Sequence, residues 1–233
     1  MTGGTSATTV RLVSDLPVLA AEVEAQLRRY LERLLETNRS FNLTAITDPT
    51  EAWTKHVLDS LTLLPELAGL ASGAQVIDVG SGGGLPALPL AVALPALHFT
   101  LLEATAKKAR FLAETAEELG LANVRVVCDR AESFGQGPER AQFDAATSRA
   151  VSRLKILLEL TLPLVRVGGV SLAIKGEQAQ LEVEEAEHAL HVLHGAVEVA
   201  RRTETGVVVR VRKLAATPAR YPRRAGEPKR QPL

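Results

Sequence analysis

Between residues 17 and 38 apolar side chains recur every three or four positions. They are Leu19, Val23, Leu27, Tyr30, Leu31 and Leu34, with Glu22, Glu24, Arg28, Arg29, Glu32 and Arg33 between them. That spacing predicts one amphipathic helix with a single buried stripe. Phe41–Ile46 follows neither period and reads as a linker or turn. A second helix then announces its start with Asp48 as the cap, Pro49 in the first turn and Glu51 three residues beyond the cap. It runs through Trp53, Val57, Leu58 and Leu61 to about Leu64, where Pro65 ends or kinks it. Residues 1–70 are therefore expected to form a small N-terminal helical region.

From Gln75 the texture changes. β-like runs at Gln75–Val79, His98–Glu103, Val124–Cys128, Phe143–Thr147 and Val170–Ile174 alternate with helical stretches at 86–94, 106–119 and 153–165. Such alternation predicts βαβ crossovers, and hence a mostly parallel sheet with helices on both faces. A Glu-rich helix near 177–194 precedes two closely spaced runs, Ala196–Ala200 and Gly206–Arg212, which predict an antiparallel hairpin at one sheet edge. The expected fold is α/β and Rossmann-like, with the sheet domain over residues 71–216. Residues 217–233, starting Thr217-Pro218-Ala219-Arg220-Tyr221-Pro222-Arg223-Arg224, carry too much proline for helix or sheet and read as a basic extended arm.

Composition narrows the picture. Of 233 residues 46% are hydrophobic but only 3% aromatic, so the core has to be built from Leu, Val and Ala. No apolar run approaches the ~20 residues that span a bilayer, and Met1–Ser6 has neither the basic start nor the apolar stretch of a signal peptide. The expectation is a soluble, cytoplasmic protein, taken as a monomer because no surplus apolar helix face is evident. A lone cysteine, Cys128, excludes an internal disulfide and a cysteine zinc cluster, and reads as a buried strand-end residue. The formal net charge is +0, yet residues 201–233 hold ten Lys and Arg against two acids. A basic end on a neutral chain points to a polyanionic partner, or to a merely solvated tail.

The chemistry starts at Gly80-Ser81-Gly82-Gly83-Gly84, which follows the strand Val76-Ile77-Asp78-Val79 and opens a helix. Glycines suit a sharp turn where a ligand must approach the backbone, because a Cβ would obstruct it. A dinucleotide loop wants glycine where Leu85 stands, and a phosphate loop wants Gly-Lys-Ser/Thr, so neither pattern fits. An acid in the strand followed by G-x-G-x-G is similar to the first motif of Rossmann-like methyltransferases. The next strand ends on Glu103, nineteen residues after Gly84, where a carboxylate can accept both hydroxyls of a ribose. Asp78 is left with two readings: a brace for the loop, or an acceptor for an amino group.

Flanking residues carry a closer resemblance. Asn42-Leu43-Thr44-Ala45-Ile46, then Lys55-His56-Val57-Leu58-Asp59-Ser60-Leu61, Ser148-Arg149-Ala150-Val151, Ile174-Lys175-Gly176 and Tyr221–Pro228 resemble the GidB/RsmG family over roughly residues 25–233. The resemblance implies a class I methyltransferase sheet and transfer of a methyl group from S-adenosylmethionine to N7 of a guanine in 16S ribosomal RNA, free or in the small subunit. It further implies that Gly80, Gly82 and Leu85 flank the methionine part of the cofactor, Glu103, Ala104 and Thr105 its ribose, and Ala131 and Glu132 its adenine, with Arg149 at the mouth. Leu85 stands where the family usually has phenylalanine, and Ala87 where glycine is usual.

Guanine N7 has an in-plane lone pair and no proton, so this transfer needs no general base, and no catalytic acid or base is nominated. Recognition then falls to the Watson–Crick edge, with Asn42, Asp59 and backbone carbonyls as candidate acceptors. His56, Asp59 and Ser60 share a helix face, either for substrate or as a polar cluster pinning the helix to the sheet domain. Lys175 is a candidate phosphate contact, as are Arg220, Arg223, Arg224, Lys229 and Arg230. His188, His191 and His194 beside Glu184, Glu185 and Glu187 read as a solvated face, with no metal expected. Two other functions stay open: a methyltransferase on another substrate, and a ribosome-assembly module that keeps the pocket without turnover.

Overall fold

The alternation from Gln75 onward builds one seven-stranded sheet in a computed structural model that describes residues 19–233. Residues 17 and 18 of the first predicted helix lie outside the described residues. In chain order the sheet elements are β1 (Gln75–Val79), β2 (His98–Leu102), β3 (Val124–Val127), β4 (Phe143–Arg149), β5 (Val165–Lys175), β6 (Gly195–Arg202) and β7 (Val207–Lys213). They lie side by side as β3-β2-β1-β4-β5-β7-β6. β1 pairs parallel with both β2 and β4, while β7 runs antiparallel between β5 and β6, so the expected edge hairpin is present.

The period of two decides which helices cover which face. Val76, Phe99, Leu101, Ala145 and Leu172 point to the face covered by α1 (Ala21–Asn38), α5 (Ala87–Ala93) and α6 (Ala106–Glu118). Ala173, Val209 and Val211 point to the other face, beneath α8 (Leu154–Thr161), α9 (Ala179–Glu185) and α10 (Glu187–Leu193). The stripe Leu27, Tyr30, Leu31 and Leu34 of α1 is buried in the same core as Leu88 and Leu112. Tyr30 Oη also donates to the carbonyl of Gly83 at 2.8 Å, which ties α1 to the glycine loop.

Three elements depart from the expected pattern. Asp48 caps a helix as predicted, accepting from the Glu51 amide at 2.8 Å. That helix starts as α2 (Pro49–Ala52), widens into a π-helical turn at Trp53–Leu58 and closes as α3 (Asp59–Leu61). Pro65 neither ends nor kinks it but sits in the first turn of a separate helix, α4 (Leu64–Leu67), where its missing N–H costs nothing. The helix expected over 177–194 breaks at Ala186 into α9 and α10, and His194 caps α10 in a left-handed conformation at φ 59°. The basic arm is no free tail. Arg140 donates to the carbonyls of Thr217, Pro218 and Tyr221, Tyr221 is buried, and the chain ends in α7's neighbourhood with a short helix, α11 (Glu227–Arg230), α7 being Ala131–Phe134.

Candidate active site

The turn after β1 needs the glycines it has. Gly80, Gly82 and Gly84 have φ of 75°, 53° and 96°, in the left-handed region where a Cβ is strained. A Cβ on Gly80 would also stand 3.0 Å from Val151, and one on Gly84 2.4 Å from Leu88. Glu103 spans the turn with its Oε2 accepting from the Gly82 amide at 2.9 Å and its Oε1 from the Thr105 amide at 2.8 Å. Asp78 lies buried under the loop, where Thr147 donates to its Oδ1 at 2.8 Å and its Oδ2 has no partner. It does not brace the loop amides.

Beside the turn opens a cavity of about 240 Å³ lined by Gly80, Ala104, Ala131, Glu132, Val151, Ser152 and Ile156, among others. Its far wall is Gly226, Pro228 and Lys229 from the chain's last residues. Of the residues expected around a cofactor, Gly80, Ala104, Ala131 and Glu132 line this cavity. Glu103, Thr105 and Gly82 stand behind its rim, joined by the hydrogen bonds above. Leu85 is buried in the core under α1 and does not line it, because the turn directs that side chain to the α1 face of the sheet.

A second cavity, of about 680 Å³, adjoins the first, and Val151 and Ser152 line both. Its walls are Leu43–Ile46, then Lys55, His56 and Asp59 of the irregular helix, Arg149, Lys175 and Thr205. Arg149 sits at its centre, donating to the Lys55 carbonyl, to Asp59 Oδ2 at 3.0 Å and to His56 Nδ1 at 3.0 Å. Since a guanidinium only donates, Nδ1 accepts and the neutral ring carries its proton on Nε2, 2.6 Å from the Thr44 hydroxyl. Thr205 in the β6–β7 turn donates to Asp59 Oδ1. Asp59 thus joins the N-terminal helices to two strand ends, while Ser60 bonds only its own helix at His56.

Several candidates are engaged elsewhere. Lys175 is the last residue of β5, with Nζ 2.7 Å from Glu182, so its charge is matched inside the protein. Arg223 holds the buried Glu159 at 2.6 Å. Asn42 is exposed and outside the lining of either cavity; Asn38 instead accepts from the Leu43 and Thr44 amides and shapes the segment. Cys128 is exposed rather than buried, because β3 is the sheet's edge strand and its end is open to solvent. Arg220, Arg224, Lys229 and Arg230 are exposed, and among the described residues none of them pairs with a carboxylate. The described residues hold no cluster of three His, Cys, Asp or Glu fit for a metal, and no helix long and apolar enough to cross a membrane.

Burial and the Arg149 charge lower the His56 pKa to about 4, while burial raises that of Asp78 to about 7. The two shifts act on stability with opposite sign. Unfolded His56 binds a proton below pH 6.5 that the folded chain refuses until about pH 4, so its contribution is lost as pH falls across that window. Folded Asp78 keeps a proton that the unfolded chain has released above pH 3.8, so its contribution is lost as pH rises towards about 7. Relative to the parent, His56→Gln is expected to gain stability as pH falls from 6.5, and Asp78→Asn as pH rises to 7. Each slope is at most about 1.4 kcal/mol per pH unit. Urea unfolding at pH 5 and pH 7 checks both signs.

A glycine turn where the strand order reverses, an acid ending the neighbouring strand and an antiparallel β7 together define a Rossmann-like class I methyltransferase fold. Solved structures agree on the fold. A geranyl diphosphate methyltransferase in complex with GPP and sinefungin superposes with a TM-score of 0.53 at 16% identity, covering 78% of this chain and 83% of that one. The antibiotic-resistance methyltransferase Kmr gives 0.51 at 18%, covering 66% and 93%. The chain belongs to the GidB family, described as rRNA small subunit methyltransferase G, whose model matches residues 23–207. Relatives named ribosomal RNA small subunit methyltransferase G include one from Sorangium cellulosum, 51% identical over 92% of this chain and 90% of its own length. One from Chloroflexus aggregans is 42% identical over the full length of both.

Proposed function

We propose that this protein transfers a methyl group from S-adenosylmethionine to N7 of a guanine in small-subunit ribosomal RNA, where ribosomes are made and used, in the cytoplasm. The reading rests on family membership, and one observation carries its mechanism: a cavity at the glycine turn and a wider one beside it share the Val151–Ser152 wall. The residues present fit the cofactor. Glycines at 80, 82 and 84 leave room for close approach, and Asp78, buried with Oδ2 unpartnered and protonated up to about pH 7, would give up its proton to face a cationic ligand. When bound, S-adenosylmethionine supplies a methyl group activated by its sulfonium.

The chain's own task is to hold and exclude. Gly80 and Gly82 would face the methionine part, Glu103 with Ala104 and Thr105 would fix the ribose, and Ala131 and Glu132 would flank the adenine. The wider cavity takes the guanine, with Arg149 fixed by His56 and Asp59 at its centre. Each Asp59 oxygen accepts one hydrogen bond and keeps a second lone pair, so Asp59 and neighbouring backbone carbonyls would serve as acceptors for the guanine N–H groups. N7 offers a free lone pair, so alignment at about 3 Å replaces proton transfer as the source of rate. Arg220, Arg224, Lys229 and Arg230 would meet RNA phosphates, giving a steep salt dependence.

The test is transfer of labelled methyl groups to isolated small subunits, naked RNA and free guanosine, followed by mapping of the modified nucleotide. Label at one guanine N7 of the RNA is expected. Label confined to protein or free guanosine would overturn the RNA assignment, and binding of subunits without transfer would leave an assembly module.

A further inference from the structure

Two carboxylates are buried against the chain's last residues: Glu159, which has no role in the scheme above, and Glu132, placed there beside the adenine. Glu159 lies on α8 with 0% exposure, in the otherwise apolar run Leu157-Leu158-Glu159-Leu160. A charge in that setting is stable only if it is fully paired, since taking a lone carboxylate out of water costs several kcal/mol or more. Arg223 supplies the pairing with its backbone amide and Nε, both 2.9 Å from Oε1, and with Nη2, 2.6 Å from Oε2. The same Nη2 reaches the Gln231 carbonyl at 2.8 Å, so one side chain gathers both ends of the last turn of chain. Glu132 is the second carboxylate, accepting from the Gly226 amide at 2.7 Å.

From the second anchor onward, Gly226, Pro228 and Lys229 line the small cavity together with Gly80 and Val151 and close one side of it. Gly226 takes φ 81°, which lets the chain reverse there and start α11. Without this segment the cavity would be an open shelf on α7 and α8.

We propose that residues 223–230 are a strap completing the cofactor site, and that Glu159 and Arg223 are positioning residues that hold it shut. This inference rests on the small cavity receiving the cofactor. The strap lies over the Ala131–Glu132 side of the cavity, so a nucleoside cannot enter or leave there without the strap lifting. Its closure follows from Glu132 and Glu159 both being satisfied by strap atoms. The exposed cations Arg224, Lys229 and Arg230 sit on the same strap, so RNA phosphates that bind them also hold the cofactor in.

Trypsin, which cuts after those exposed cations, reads the strap directly in the full-length protein. S-adenosylhomocysteine at saturation is expected to slow cleavage at Arg224 and Lys229 at least about tenfold, while cleavage elsewhere is unchanged. In calorimetry Glu159→Gln and Arg223→Ala are expected to weaken S-adenosylhomocysteine binding about tenfold, equivalent to about 1.4 kcal/mol. Arg223→Lys should fall between Arg223→Ala and the parent. A merely structural pair would lower the melting temperature without changing affinity or ligand-dependent protection. If S-adenosylhomocysteine binds the parent but cleavage of the strap keeps its rate, the proposal is wrong, and this holds even if the variants do not fold. Parent-like affinity in folded Arg223→Ala would overturn it too. Failure of the parent to bind the ligand would instead overturn the cofactor reading itself.

Discussion

Glu103→Ala is expected to weaken binding of S-adenosylmethionine about 100-fold or more, with a modest fall in melting temperature. The carboxylate accepts from the Gly82 and Thr105 amides, and so fixes the turn and the chain leaving β2 at once. In the proposed complex each carboxylate oxygen also accepts a ribose hydroxyl through its second lone pair. Hydrogen bonds to a charged group are each worth about 1.5–3 kcal/mol, so losing these two accounts for two decades in a binding constant at about 1.4 kcal/mol per decade. Losing the two amide contacts costs less stability than affinity, because Thr105 is exposed and Gly82 half-buried, and water replaces the lost acceptor. Glu103→Gln keeps one good acceptor and should fall midway. Calorimetry with S-adenosylmethionine and its demethylated product decides; affinity within threefold of the parent for Glu103→Ala would refute the role.

Arg149→Ala has the second large expected effect, and it separates binding of the two substrates. Its guanidinium holds the Lys55 carbonyl, His56 and Asp59, so its loss leaves the Asp59 carboxylate with Thr205 alone at a buried position. Breaking a buried ion pair on one side costs about 3–5 kcal/mol, and the wall of the wider cavity loosens with it. Methyl transfer to small subunits is expected to fall to background while affinity for S-adenosylmethionine stays within a few-fold. Asp59→Asn combined with Arg149→Ala should recover much of the stability, since no charge is then stranded, but not the transfer. Recovery of both would show that Arg149 acts only through the fold.

The parallel sheet was legible because fully or half-buried strands and their helices keep their periods over whole elements, and β1 and α6 start where the pattern places them. The glycine turn was legible because only glycine tolerates its backbone angles, and Glu103 because it ends the adjacent strand. What stayed hidden depends on contacts between residues far apart in the chain. Tyr30 looked like one more core residue, yet its hydroxyl holds the Gly83 carbonyl. Val151 and Ser152 carry no chemical signature and matter only by lying between two cavities. Lys175 and Arg223 looked like free cations because their partners, Glu182 and Glu159, sit on other elements. Composition counts charges, and folding decides which are spent. The arm's prolines ruled out regular structure correctly over most of its length, but said nothing about packing.

The wall formed by Val151 and Ser152 also sets a rule for inhibitors. Two cavities that share Val151 and Ser152 can be filled by a single molecule, an adenosine unit joined by a short tether to a guanine analogue. Once one half is seated, the other searches at an effective concentration in the millimolar range, and avidity can exceed either single affinity by about 10²–10⁴. A tether too short to reach from one cavity into the other forfeits the whole gain, so a series of graded lengths would act as a ruler for the gap the methyl group crosses.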